Sequence, residues 1–506
     1  MRVLNVSGSR VRLRYTGIVL FLSRLFSLLT GALFVLLITR KLSIEDFGLW
    51  SMIGRYSGYM VVLSSVYNYW LPRTIARGAN TSKTGLVFSL TSGTAATLFY
   101  VVIALWLSTS FNQPLLILLI VAPQIILSYI QSMMESVSSG YAPQLIGYAQ
   151  ITFELVKVGL AFCLVLFFHV ELTGAILAVV GAQLVQVLLL TALNFKVINS
   201  SKLNLDIAKS WLRHSWLPLF SAIAGIVGGL DIILVRLVSG SEQPIAYYGI
   251  ALTISSVVNN ANVLASGLYP RLLAKTHLSE VEVAMKLMYM FAIPTFIFIF
   301  FYTESISAVF GLKYLVTTNA IRVATLSSLI FIFSLLLDTV ILGIERRDVE
   351  GLTFKGIRSS MLFKLPLLNY IMSFTYLIIL HILLIGAQGY VDVSFRWIVS
   401  SAISTSLAIV VKLVALRRDF RVKISTYTLI SLLRYIAASL IAVGFAFSIW
   451  KVLPIERIMD LFLGLASPAM FTATAYFMLL AVIDRDFRFL LKAAVNEARL
   501  VLKSLK

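Results

Sequence analysis

The stretch "NYWLPRTIAR" (68–77) closes an apolar run with a proline, an arginine and a basic loop, and "SGLYPRLLAK" (266–275) does so again about 200 residues later. Pro72-Arg73 corresponds to Pro270-Arg271, Ala76 to Ala274 and Arg77 to Lys275. Upstream, "DFGLW" (46–50) pairs with "YYGIA" (247–251), three residues out of step with the first pairing, and "LITRKL" (37–42) with "ILVRLV" (233–238). Either these are chance likenesses between apolar segments ending at basic loops, or the chain carries a duplicated helical bundle. The recurrence of a proline–basic pair at one topological place favours duplication.

Composition sets the environment of that repeat. The chain of 506 residues is 59% hydrophobic and only 13% charged, with a mean hydropathy of +0.94. Soluble domains carry about 25% charged residues, so this is an all-α polytopic membrane protein. About 20 apolar residues cross the hydrocarbon core. That ruler predicts fourteen spans, at 17–39, 47–70, 84–109, 113–134, 150–168, 172–194, 215–238, 245–269, 283–310, 320–344, 366–387, 393–415, 427–450 and 459–483. Spans 3 and 4 are the least clearly divided, by "STSFNQP".

The net charge of +20 does not point to nucleic acid, because the basic residues lie in short segments between apolar runs. With the N-terminus cytoplasmic, about 30 of the 42 Lys and Arg fall inside, about 8 outside and about 4 within spans, as the positive-inside rule requires. The expected location is the cell membrane with both termini cytoplasmic. The basic start "MRVLNVSGSRVRLRYTG" lacks a small-residue cleavage site and reads as a tail. Cys163 is the single cysteine and, with four scattered histidines, forms no metal-binding pattern. No cofactor is expected.

The predicted organisation is a tail (1–16), an N-lobe of six spans (17–194), a linker (195–214), a C-lobe of six spans (215–415), two extra spans (416–483) and an amphipathic tail (484–506). Segments between spans reach only about 20 residues, and domains below about 40 seldom fold unaided. This leaves no room for a soluble catalytic domain. Six spans per copy insert in the same direction, so the lobes are related by an axis along the membrane normal, a transporter arrangement with substrate between the halves.

The same residues carry a family resemblance. Span 1, "TRKLSIEDFGLWSMI" and "LPRTIAR" resemble the opening of polysaccharide (O-antigen type) flippases. These belong to the MOP exporter superfamily, with MATE drug exporters and lipid II flippases. "SWLPLFSAIAGIVGGLDIILVRL" is similar to the family's seventh span, with Pro218 and Asp231, and "YYGIALTISSVV" to its eighth. The resemblance covers about residues 15–480. It implies two six-helix lobes forming a V around a central cavity, with lipid-linked oligosaccharide moved outward by alternating access. It also implies cations lining that cavity in the N-terminal half.

Charges within spans are expensive and functional by default. Arg24 ("LFLSRLFSLL") and Arg55 ("SMIGRYSGYM") are candidates for an anionic head group. Arginine offers forked donors and stays charged at any relevant pH; snorkelling to an interface is the competing reading of each. Asp231, Glu154, Lys157 and Asp338 serve either ion coupling or structural ion pairs, Glu154 and Lys157 lying one helical turn apart. Asn259, Asn260, Asn262, Gln183 and Gln186 either contact sugar or bond helices together. His381 and Arg434 are weaker candidates.

The reading is a monomeric, non-enzymatic flippase for polyprenyl-phosphate or -pyrophosphate sugars, serving cell-surface polysaccharide or glycoprotein assembly. Its partners are the lipid-linked oligosaccharide, membrane lipids and a coupling H+ or Na+. A MATE-like cation-coupled drug antiporter is the first alternative, and a polytopic polyprenyl-dependent glycosyltransferase or ligase the second.

Overall fold

The computed structural model describes residues 13–265, 268, 272, 279–344, 360–420, 426–450, 462–489 and 491–492. The basic tail 1–12, Pro270-Arg271 of the repeat, the loop 345–359 and most of the tail 484–506 lie outside the described residues. All regular structure among the described residues is helical. Among the described residues, twelve helices are long and apolar enough to cross a bilayer.

The two other predicted spans, the second and the eighth, are also helical but interrupted. Helix α2 (Ile44–Met60) passes through a 3-10 turn at Val61–Leu63 into α3 (Ser64–Ala76). Helix α11 (Gln243–Asn259) runs into a 3-10 turn at Asn260–Ala265. The alignment that pairs Pro72 with Pro270 pairs Val61 with Asn259, so both copies carry a tight turn at the same place. A 3-10 stretch inside a helix leaves carbonyls without their usual partner, and the Tyr129 hydroxyl donates to Met60 O at 2.8 Å. The repeat is thus visible in local geometry as well as in sequence.

Contacts divide the chain into two compact units that meet between Ala246 and Tyr247. In the first, α1 (Leu13–Lys41) packs on α6 (Gln144–Ala161) and α6 on α7 (Glu171–Asn199). The α1–α6 approach is close because Gly147 has no side chain: a Cβ there would lie 2.8 Å from Val19 Cγ1. Helix α4 (Ser82–Phe111) ends at Asn112, which takes a left-handed φ of 53°. Pro114 follows and starts α5 (Leu115–Tyr141), so the doubtful division of spans 3 and 4 falls at Asn112–Pro114, a stop-and-restart that both residue types favour. The connection after α7 holds a short helix, α8 (Leu205–Arg213), capped by Asn204, with Trp211 buried edge-on to Phe88.

The motif "IEDFGLW" is explained by this packing. Ser43 caps α2, its Oγ accepting from Asp46 N at 3.0 Å and donating to Asp46 Oδ2 at 2.7 Å. A Cβ at Gly48 would lie 2.2 Å from Glu242 O. Only glycine lets α2 meet the turn that follows the seventh span, itself tied by Arg236–Glu242 at 2.8 Å.

In the second unit, α12 (Ser279–Phe301) and α14 (Thr318–Ile344) flank the short α13 (Thr303–Phe310). Helix α15 (Met361–Leu384) packs on α16 (Gly389–Phe420), and α16 on α14. The two extra spans, α17 (Thr426–Ile449) and α18 (Ser467–Ile483), pack on α12 around Met290, Ile293, Tyr435 and Tyr476. The Tyr476 hydroxyl donates to Met290 O at 2.7 Å.

Candidate substrate and coupling sites

In the first unit a charged cluster sits between α1 and α6. Glu154 and Lys157 are buried, at 2% and 8% exposure, and their charges meet at 2.6 Å. One helical turn separates them, so α6 presents both to the same face. Ser27 Oγ and Thr30 Oγ1 of α1 donate to the two Glu154 oxygens at 2.6 and 2.8 Å, and Gln150 Nε2 donates at 3.1 Å. The ammonium also lies over Phe34 and Phe153, at 5.3 and 5.0 Å from their ring centres. A buried charge is tolerable only when paired and fully hydrogen-bonded; this carboxylate has four donors.

Arg24, on α1 a turn from Ser27, is exposed and has no ion-pair partner among the described residues. The buried face of α1 holds Ser23 and Phe34, and Arg24 stands off that face beside exposed Phe21 and Leu25.

Arg55 and Asp231 frame a break in the seventh span. Helix α9 (Trp216–Gly229) stops and α10 (Asp231–Ser239) begins after Leu230. Asp231 is buried at the N-terminus of α10, with Ile232 N donating to its Oδ1 at 2.8 Å. The positive end of a helix dipole favours a carboxylate there. The Tyr59 hydroxyl donates to Gly229 O, satisfying a carbonyl the break sets free. A Cβ at Gly229 would lie 3.1 Å from the Tyr59 ring and 3.6 Å from Arg55 Nη1. The charges of Asp231 and Arg55 both bear on Tyr59, so residues far apart in sequence, on α2 and α10, share one neighbourhood.

Gln183 and Gln186 are buried on α7. Gln183 Nε2 donates to Ser128 Oγ and Gln131 Oε1 of α5, both at 2.9 Å. Gln131 Nε2 in turn donates to Glu135 at 2.8 Å. Glu135 is half-buried, and among the described residues it has no ion-pair partner. Sequence reading missed it because the predicted fourth span ends at 134, whereas α5 runs on to Tyr141 and takes Glu135 in.

In the second unit Asp338 of α14 meets Lys412 of α16 at 2.7 Å, and Lys412 Nζ donates to Ser334 Oγ at 2.7 Å. Lys412, only 4% exposed, was also missed; "VVKLVAL" interrupts span 12 with a charge. His381 is exposed and Arg434 half-buried.

The second unit also holds a pocket of about 170 Å³. Helix α11 contributes Tyr248, Leu252 and Asn259, α14 Ala324, Ser327, Ser328 and Phe331, and α16 Ile398, Ser401 and Thr405. Of the three asparagines named from sequence, only Asn259 reaches it; Asn260 is exposed and Asn262 half-buried in the following turn.

No protein-family model matches the sequence, and no curated protein matches it. Solved structures do match. An inward-facing multidrug resistance MATE family transporter of the MOP superfamily aligns with a TM-score of 0.61 at 13% identity, over 78% of this chain and 96% of that one. The lipid II flippase MurJ, in an inward closed conformation, aligns with a TM-score of 0.58 at 13% identity, over 93% of this chain and 99% of that one. An outward-facing MATE family transporter gives 0.54 at 13% identity, over 84% and 99%. This multi-pass membrane protein has the fold of MOP-superfamily transporters.

Proposed function

We propose that the chain is a flippase for lipid-linked oligosaccharide. It carries a polyprenyl-phosphate or -pyrophosphate sugar from the cytoplasmic to the outer leaflet of the cell membrane, with both termini cytoplasmic. The observation that carries the reading is Arg24: an exposed cation without an ion-pair partner among the described residues, on an apolar helix. A charge in that position costs at least about 2.5–3.5 kcal/mol on insertion scales, and a diphosphate head group offsets that cost by charge-assisted, forked hydrogen bonds. Buried Glu154 and half-buried Asp338 are each neutralised by a lysine, which leaves the arginine to set the local preference for anions. Alignment with a lipid II flippase over 93% of the chain supports the same reading.

In this reading Arg24 and Arg55 hold the phosphates while the lipid tail stays in the bilayer, and the bundles 17–194 and 215–415 alternate access to the two sides. The carrier works as a monomer in surface polysaccharide or glycoprotein assembly and catalyses no covalent step. A coupling H+ or Na+ supplies direction.

One observation favours a second reading. Glu135, a carboxylate without a cationic partner among the described residues, is the kind of group a MATE-like cation antiporter uses.

The test compares wild type with Arg24→Ala and Arg24→Lys in proteoliposomes loaded with fluorescent lipid-linked oligosaccharide. Arg24→Ala is expected to slow flipping at least about tenfold, the worth of one charge-assisted hydrogen bond, with Arg24→Lys in between. Because Arg24 is exposed, the melting temperature of either variant should stay at the wild-type value. Equal flipping by all three would remove Arg24 from the mechanism.

A further inference from the structure

The pocket of the second unit has an unusual hydrogen-bond inventory. Serine and threonine within helices normally donate back to a carbonyl three or four residues earlier. Their neighbours on the same two helices do so: Thr325 to Ile321 O at 2.5 Å, Ser400 to Trp397 O at 2.6 Å, and Ser406 to Ala402 O at 2.8 Å. Ser327, Ser328, Ser401 and Thr405 face the pocket, and none has a hydrogen-bond partner among the described residues. Asn259 adds a carbonyl oxygen, Oδ1, that is fully buried and equally unpartnered. Leaving a buried polar group unmade costs about 1–3 kcal/mol, a cost that falls on Asn259 Oδ1. With the hydroxyls of buried Ser327 and Ser328 and of half-buried Ser401 and Thr405 beside it, five unpartnered polar groups converge on one space and mark a site built for an occupant.

The chemistry of the lining says which. No charged side chain is among the described residues that line it, so neither phosphate nor an organic cation finds a counter-charge there. Four hydroxyls both donate and accept, and the amide of Asn259 does both as well. The remaining wall is apolar, with Leu252, Phe331 and Ile398, and is bounded by Tyr248 stacked flat on buried Trp397 at 3.7 Å between ring centres. An uncharged polyhydroxyl ring matches this: hydroxyls around its rim and C–H faces above and below, against a pocket with polar groups on α14 and α16 and aromatic or aliphatic ones beside them. We infer that this pocket of α11, α14 and α16 binds a monosaccharide unit of the carried glycan, apart from the arginines proposed for its phosphate. The inference rests on the flippase reading.

The test measures equilibrium binding of two probes to the purified full chain: a short-chain prenyl diphosphate bearing an N-acetylhexosamine, and the same prenyl diphosphate without sugar. Wild type should bind the sugar-bearing probe about tenfold more tightly, as expected for a pair of neutral hydrogen bonds. The double variant Ser328→Ala/Thr405→Val, which removes hydroxyls at nearly constant shape, and Ala324→Phe, which fills the space, should each bring that ratio close to one. Neither should change binding of the bare diphosphate, which also reports on folding. If the variants keep the wild-type ratio, the pocket is not the sugar site. If wild type binds both probes alike, the pocket assignment fails while the carrier reading stands. If it binds neither, the carrier reading falls and takes the pocket with it. Loss of the sugar preference on adding NaCl, with no effect of free N-acetylhexosamine, would make the site a cation site and overturn the inference.

Discussion

Each of the two units holds an acid–lysine pair within its helices, and the pairs are wired differently. Glu154 and Lys157 stand on one helix, α6, and the acid takes further hydrogen bonds from Ser27 and Thr30 of α1 and from Gln150. Asp338 and Lys412 stand on different helices, α14 and α16, with Ser334 as the further partner of the lysine. The Glu154 side chain is 3% exposed, the Asp338 side chain 26%. The first pair is therefore part of the packing that joins α1 to α6, whereas the second links two helices through a single contact with its acid partly open. Identical chemistry serves as a fastener in one unit and as a separable joint in the other.

The largest expected effect breaks the fastener. Lys157→Met leaves Glu154 buried and unpaired, which should cost about 3–5 kcal/mol, read as a fall in melting temperature in detergent. Lys412→Met should cost less than half as much, because the Asp338 side chain is already 26% exposed where that of Glu154 is 3%. The double variant Glu154→Gln/Lys157→Met, which removes both charges, should recover most of the loss. Equal costs for Lys157→Met and Lys412→Met would dissolve the distinction between the pairs.

A smaller effect sharpens it. Thr30→Val removes one charge-assisted hydrogen bond to Glu154 and Ser334→Ala removes one from Lys412. Both fall in the range of about 1.5–3 kcal/mol for a bond to a charged group, with Ser334→Ala at its low end because Lys412 keeps its carboxylate. Melting curves in the same detergent decide. A larger cost for Ser334→Ala would put the rigid joint in the second unit instead.

The spans were legible because crossing a membrane demands long apolar helices, a constraint that composition records directly. The repeat was legible because "LPRTIAR" and "YPRLLAK" keep a proline and basic residues at the same topological place. The tight turn at Val61–Leu63 was not, since it lies in an apolar stretch without a helix-breaking residue, and the one at Asn260–Ala265 falls on "NNAN", whose amides read equally as sugar contacts or interhelical bonds. Glu154 and Lys157 could be paired by eye through their spacing of one turn. Lys412 could not be assigned to Asp338, because that pair depends on which faces of α14 and α16 meet. The hydroxyl-lined pocket escaped for the same reason, and Glu135 because the predicted span stops at 134 while the helix continues to Tyr141. Serines in a span read as helix-packing residues until the structure shows that Ser327, Ser328 and Ser401 lack backbone partners.

The central claim is that the carried substrate is an anionic lipid-linked saccharide. The most direct measurement places wild-type protein in proteoliposomes with fluorescent lipid-linked oligosaccharide in one set and a fluorescent organic cation in another. The account predicts protein-dependent flipping of the oligosaccharide, unaffected by excess cation. Efflux of the cation that Glu135→Gln abolishes, with no movement of the oligosaccharide, would contradict it.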